Sequence, residues 1–231
     1  MSMYDDGTYL KSNADWHQED SGYKAELVVD LLGSLSAKSV LEIGCGAGEV
    51  LRVVALRFPG IQFHGCDISA DAAKFWTEKQ APNLSFSLGD LLESGKKADV
   101  VLCLDVFEHV DDYLGFLRKL GEHGSYFVFN VPMDMCVMKL LTRGLAYARA
   151  EVGHLHYFNE WSAKATLTDC GYELEVAKLS PAFLKIPPRN FRQWLAVVPR
   201  VSAHFLLGSS LACKLLGGYS LVVGAKKRKS R

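Results

Sequence analysis

Apolar positions along the chain follow two rhythms that take turns. Short apolar runs predict strands at KSVLEI (38–43), IQFHGCD (61–67), LSFSLG (84–89), ADVVLCL (98–104), YFVFNVP (126–132), YELEVAKLS (172–180) and YSLVVGAKK (219–227). Between them, apolar residues recur at three- and four-residue spacing. Asp20 is placed to cap a helix reaching Leu35, with Leu27, Val28, Leu31, Leu32 and Leu35 on one face. EVLRVVALRF (49–58) predicts a helix that Pro59 and Gly60 stop, and Ser69 is placed to cap another over ADAAKFWTEKQ (70–80). YLGFLRKLG (113–121) and NEWSAKATLTDCG (159–171) give two more, the second capped by Asn159 and ended by Gly171.

Strands that alternate with helices imply parallel βαβ units with right-handed crossovers, so the strand carboxyl ends share one edge of the sheet. The expected organisation is a single domain over 1–231. It carries a polar N-terminal arm (1–19), a pocket-forming insertion (133–158), a helical insertion (181–218) and a basic tail (226–231). An apolar share of 49% with 23% charged residues is that of a globular protein and excludes a disordered or collagen-like chain.

Charge changes this picture in one place. The formal net charge is zero, yet ten of the 26 Lys/Arg and none of the 26 Asp/Glu lie between Pro181 and Arg231. A basic segment on an acidic body suits peripheral contact with an anionic membrane surface, and equally a solvated tail. Nucleic acid is not expected, because the basic cluster lacks interleaved aromatic residues. The six cysteines stand singly, without metal-knuckle or redox spacing, and MSMYDDGTYL has no basic start and no apolar core. Reduced thiols and a cytoplasmic location are the expectation. Pro199, Arg200, Lys214 and several glycines interrupt the apolar stretch after Trp194, so no bilayer-spanning run is expected.

VLEIGCGAGEV (40–50) is a strand that turns through Gly44, Gly46 and Gly48 into a helix. Such a loop lets a ligand approach the backbone, and in dinucleotide sites it cradles a pyrophosphate. Here Glu49 occupies the position where the dinucleotide fingerprint has its third glycine, and a carboxylate at a helix start repels phosphate. Glu42, just before the turn, suits a positively charged ligand. Asp67 ends the second strand, where an acid can accept both hydroxyls of a ribose. Asp90 follows the third strand, placed to meet an exocyclic amine, with Leu91 beside it to pack on a purine; either acid could instead cap the helix or turn that follows it.

VLEIGCGAG, GCDIS, LGDLLE and DVVLCLDVFEHV, in this order across 38–132, resemble the successive motifs of class I S-adenosylmethionine-dependent methyltransferases. The resemblance implies a Rossmann-like, doubly wound α/β fold: a seven-stranded mixed sheet with its last strand antiparallel and a helical insertion before it. It implies S-adenosylmethionine as cofactor, with Glu42, Gly44, Gly46, Gly48, Asp67, Ile68, Asp90, Leu91 and Leu104 around it. DWHQEDSGYK (15–24) is more loosely similar to the arms of bacterial members associated with sugar and polysaccharide pathways. There Lys24 or Trp16 would close over the cofactor, or Trp16 would simply pack.

Methyl transfer to a hydroxyl needs alignment and a group to take the proton. LDVFEHV, after the fourth strand, supplies Asp105, Glu108 and His109, and His109 is the candidate base or else a structural hydrogen-bonding group. The same three residues resemble the acidic set of ubiquinone-pathway O-methyltransferases, where it binds a divalent ion; the expectation here is a site without metal. His154 and His156 would face one way in an extended GHLHYFN segment and line the acceptor pocket, walled by a helical stretch from Met133 to Glu151 that carries Lys139, Arg143 and Arg149. Phe191, Trp194, Leu195 and Val198, near Arg189, Arg192 and Arg200, form a helical stripe that packs on the body or touches anionic lipid. The reading is an enzyme that methylates a small-molecule acceptor, most simply at oxygen. The alternatives are an NAD-dependent oxidoreductase, which Glu49 disfavours, and a catalytically silent cofactor-binding partner tethered to membrane.

Overall fold

Side chains alternate across each strand, and that alternation builds two cores, one on either face of a seven-stranded sheet. In the computed structural model residues 18–186, 188 and 191–228 are described. The strands are β1 (Ser39–Ile43), β2 (Gln62–Asp67), β3 (Leu84–Leu88), β4 (Ala98–Leu104), β5 (Gly124–Pro132), β6 (Tyr172–Ser180) and β7 (Ser220–Lys227). The helices are α1 (Gln18–Leu32), α2 (Glu49–Arg57), α3 (Ala70–Ala73), α4 (Tyr113–Leu120), α5 (Val137–Leu141), α6 (Gly144–Tyr147), α7 (Glu160–Asp169) and α8 (Phe191–Leu216).

In β4, Val100, Leu102 and Leu104 enter one core while Val101 and Cys103 enter the other. β5 divides the same way, Tyr126 and Val128 against Phe127, Phe129 and Val131. Covered on both faces, these strands read as unbroken apolar runs. Ala25, Val28 and Leu32 of α1 pack with Leu51 and Val54 of α2 over the first face; Leu117 and Leu120 of α4 and Ala163 and Leu167 of α7 cover the second.

The strand order is β3-β2-β1-β4-β5-β7-β6, with β1 to β5 paired in parallel and β7 antiparallel to both neighbours. This is the expected seven-stranded mixed sheet. The chain winds outward from β1 in one direction and from β4 in the other, so a crevice opens at their carboxyl ends.

Three local expectations are corrected. α1 begins before Asp20, which therefore lies inside the helix, and it stops at Gly33 rather than Leu35. The helix expected over 70–80 is a single turn. Beyond it Phe75 and Trp76 bond three residues back, while Trp76 Nε1 donates to the Gly46 carbonyl at 2.8 Å and its ring stacks on Phe86 at 5.4 Å. Those contacts tighten the backbone and override its helical propensity. The apolar segment Gln193–Leu216 is, contrary to expectation, long and apolar enough by composition to cross a membrane. It is not one rod, because Gly208 leaves helical geometry (φ 77°, ψ 162°). A straight helix would separate residues 200 and 216 by about 24 Å, yet Arg200 Nε donates to the Leu216 carbonyl at 3.3 Å. His204 Nδ1 likewise lies 3.0 Å from the Tyr219 hydroxyl. α8 is a hairpin of two arms, the longer rising only about 25 Å, less than the hydrocarbon core of a bilayer. Trp16, most of the arm, Arg189 and the last three residues of the tail lie outside the described residues.

Asn159 Oδ1 accepts from Ser162 N at 2.9 Å while Ser162 Oγ accepts from Asn159 N at 3.0 Å, the reciprocal cap that starts α7. Asn159→Ala is expected to lower stability by about 1 kcal/mol, seen as an earlier urea midpoint with an unchanged slope.

Candidate active site

The turn after β1 runs through Gly44, Gly46 and Gly48 at φ 65°, 52° and 76°, a region costly for other residues. Space makes the same demand. A Cβ on Gly44 would lie 2.7 Å from the Val106 side chain, and one on Gly48 would lie 2.5 Å from the Phe86 ring. Asp67, at the end of β2, secures the loop by accepting from Gly46 N at 2.8 Å and from Ser69 N at 2.8 Å. Lys79 Nζ donates to the Ala47 carbonyl at 2.8 Å and lies 3.3 Å from Glu49. Arg52 bonds the same Glu49 at 2.7 Å and, with Lys79, holds its carboxyl below the usual range. A carboxylate thus stands at the first turn of α2, where a dinucleotide would place phosphate.

A cavity of about 540 Å³ occupies the crevice. Glu42, Gly44, Gly46, Asp67, Ile68, Leu104, His109 and His154, all expected in the site, line it together. Gly48, Asp90, Leu91 and His156 do not. Gly48 serves the turn and its packing on Phe86. Asp90 follows β3, two places out from β1, and its exposed side chain accepts from Leu92 N at 2.8 Å. Leu91 is buried in the core. His156 Nε2 donates to the Val110 carbonyl at 3.0 Å and its ring lies 4.4 Å from Tyr113. Both Leu155 N and His156 N donate to the Glu108 carbonyl, which bends the segment out of extension, so the two histidines part. The stretch from Met133 to Glu151 folds into α5, α6 and a wider turn; Val152 and His154 beyond it, rather than Arg143 or Arg149, reach the cavity wall.

Glu42 is buried and its Oε2 has no hydrogen-bond partner. Burial, with a smaller push from Asp67 and against the pull of Lys24, raises its carboxyl to about 8. Burial raises Asp67 too. Lys24, on α1, reaches across the crevice to Asp105 Oδ2 at 2.6 Å, and Asn130 Nδ2 donates to Asp105 Oδ1 at 2.7 Å. Burial opposes the Lys24 charge, but Asp105 outweighs it and the ammonium is held above its usual range. Asp105 itself sits at φ 55°, a conformation aspartate tolerates better than most residues.

Beyond this pair lies a second polar cluster. His109 Nδ1 donates to the Gly153 carbonyl at 3.0 Å, which leaves Nε2 as the unprotonated nitrogen. Burial first, and the neighbouring His154 second, lower its pKa to about 4. The two rings stand 4.9 Å apart. His154 Nδ1 is bonded to Asp134, which also pairs with Lys139. Glu108 is fully buried with both carboxyl oxygens unpartnered, and burial raises its pKa well above normal. Glu108, His109 and His154 present donor atoms within 4.8 Å of one another, a set able to take a divalent ion. Asp105 is not part of it, being engaged with Lys24 and Asn130. Asp134 was not anticipated, though an acid two residues past the end of β5 shares its edge with Asp67 and Asp105.

The family model described as "Methyltransferase domain" matches residues 16–176, and the chain belongs to that family, the class I fold whose cofactor is S-adenosylmethionine. Trans-aconitate 2-methyltransferase of Deinococcus radiodurans is 30% identical over 139 residues, 58% of this chain and 54% of the relative. Ubiquinone biosynthesis O-methyltransferase of Rickettsia prowazekii is 27% identical over 104 residues, 44% and 41% of the two chains. The chain spans about half the length of the curated relatives it matches. The cyclopropane synthase MmaA2 of Mycobacterium tuberculosis superposes with a TM-score of 0.64 at 14% identity, covering 89% of this chain and 83% of that one. Magnesium protoporphyrin IX methyltransferase of Synechocystis PCC 6803, solved with bound S-adenosylhomocysteine, gives 0.59 at 18% identity over 94% and 86%. These likenesses establish the fold.

The donor set fits such a cofactor: an unpartnered buried carboxyl for a cation, an acid at the end of β2 and no anion cradle at α2. A cation beside Glu42 favours its ionised form, so binding of S-adenosylmethionine at pH 7 is expected to release up to about one proton. Calorimetry in buffers of different ionisation enthalpy reads that proton, and Glu42→Gln abolishes it; heats independent of buffer for the wild type would refute it. Because folding raises this pKa, Glu42 subtracts from stability as pH climbs from 4.5 towards 8, and the same variant removes that slope.

Proposed function

We propose that this protein transfers a methyl group from S-adenosylmethionine to a hydroxyl of a small-molecule acceptor. The observation that carries the reading is one continuous cavity joining Glu42 and Asp67 at one end to His109 and His154 at the other. The activities of the two relatives above, both methyltransferases and one an O-methyltransferase, support it. Six unpaired, buried cysteines support a cytoplasmic setting.

When bound, the cofactor supplies an electrophilic methyl group on positively charged sulfur. Glu42 would provide the compensating charge, with the Gly44 and Gly46 backbone against the methionine part and Asp67 at the ribose. Transfer then depends on alignment and on removal of the hydroxyl proton. His109 Nε2 receives that proton. The Gly153 carbonyl fixes its tautomer, and its lowered pKa keeps the ring neutral at the cost of basicity, so the proton moves as the methyl group is transferred rather than before. Asp134 holds His154 beside it, and Lys139 completes that chain. The cluster of Glu108, His109 and His154 favours a second reading, in which these residues would hold a divalent ion and the ion would supply Lewis acidity toward the hydroxyl.

Turnover of methyl-labelled cofactor against a panel of hydroxylated metabolites tests both. His109→Ala is expected to lower kcat at least about 100-fold, with the affinity for S-adenosylhomocysteine unchanged. At saturating cofactor, where Glu42 is already ionised, the wild-type kcat should be flat from about pH 6 to 8 and fall only as pH approaches the His109 value of about 4. Full activity in His109→Ala removes the base. Loss of wild-type activity on chelation, restored by added divalent ion, selects the second reading. Cofactor binding without turnover on any acceptor would leave a binding protein.

A further inference from the structure

The turn at Gly208 presents Phe205, Leu206 and Leu207 at the end of the α8 hairpin, 75%, 82% and 47% exposed. Leu211 across the turn and Phe191, Trp194 and Leu195 on the long arm are also exposed, so of the two roles open to that stripe, packing on the body and contact with lipid, it does not take the first. α5 packs beside α8 and adds exposed Leu140 and Leu141 to the same region. Scattered apolar side chains on a surface need no explanation, but four exposed large apolar side chains between positions 205 and 211, gathered at one turn, mark an interaction face.

The patch is held out by the structure rather than left loose. Ala212 and Cys213 of the short arm are buried in the core, and the Arg200–Leu216 and His204–Tyr219 contacts tie the arms together at the base. Charge then selects the occupant. Residues 181–218, which build the hairpin and its approach, carry five Lys/Arg and no Asp/Glu, and Lys185 and Lys214, at the foot of the hairpin, are exposed. A second copy of this chain would bring the same cations face to face and be repelled. An anionic lipid surface accepts both the apolar tip and the basic shoulder.

We propose that the α8 hairpin docks the protein on an anionic lipid bilayer, its tip entering the boundary between headgroups and acyl chains and Lys185 and Lys214 lying against the headgroups. The turn 182–184 packs on α8, and its Ala182 also lines the cavity, so docking brings one wall of the cavity near the bilayer.

Flotation of the whole protein with vesicles of phosphatidylcholine, alone or with about 30% phosphatidylglycerol, tests this without reference to catalysis. The wild type is expected to float with the anionic vesicles and not with the neutral ones. Leu206→Asp changes a residue the fold does not use, so it should keep the thermal midpoint and lose at least about tenfold in bound fraction. Failure of the wild type to float, equal flotation on neutral vesicles, or undiminished binding of Leu206→Asp overturns the proposal. So does light scattering that shows a wild-type dimer split by the same substitution, which would make the patch a contact between copies.

Discussion

Asp67 holds the cavity together before any ligand arrives. Its two carboxyl oxygens take the N–H groups of Gly46 and Ser69, so the left-handed turn after β1 is tied to the end of β2. Every backbone atom that faces the cavity from this side depends on that tie, because glycines at φ 52° to 76° have little preference of their own to keep the shape. Phe86 and Val106 complete the mould by filling the space a side chain would need. An ordinary acid at a strand end is in this way both the loop's anchor and part of the cavity's lining.

The cavity's charge follows from what it leaves uncompensated. Lys24 and Asp105 neutralise one another and Arg52 and Lys79 answer Glu49, whereas Glu42 keeps an oxygen without a partner. A carboxyl in that state is neutral until something positive comes close, which makes the pocket poor for anions and receptive to cations. At the other end, the lowered pKa of His109 keeps an imidazole uncharged beside His154, so that ring brings no positive charge to hold an anionic ligand.

Legibility in the sequence depended on how local the cause was. β4 and the Asn159 cap were readable because apolar runs and capping chemistry are short-range facts. The glycine turn was readable because few residues other than glycine take that backbone. The segment 70–80 was not, since Trp76 and Lys79 leave their helical register for partners about 30 positions earlier. Nor was the parting of His154 from His156, which is set by the Glu108 carbonyl, or the pairing of Asp134 with His154. The α8 hairpin rests on contacts from Arg200 and His204 that close across 15 or 16 residues, and the composition of the segment was compatible with a straight rod.

β7 lies between β5 and β6 although it comes after both in the chain. Until residues 220–227 are made and seated, β5 has an open hydrogen-bonding edge flanked by Phe127 and Phe129, and β6 has no strand beside it. Such late, non-local pairing is slow, and an open apolar edge invites association with other chains. Ribosomal synthesis therefore exposes the middle of this sheet for as long as translation of the intervening segment lasts, and chaperone demand should track that interval.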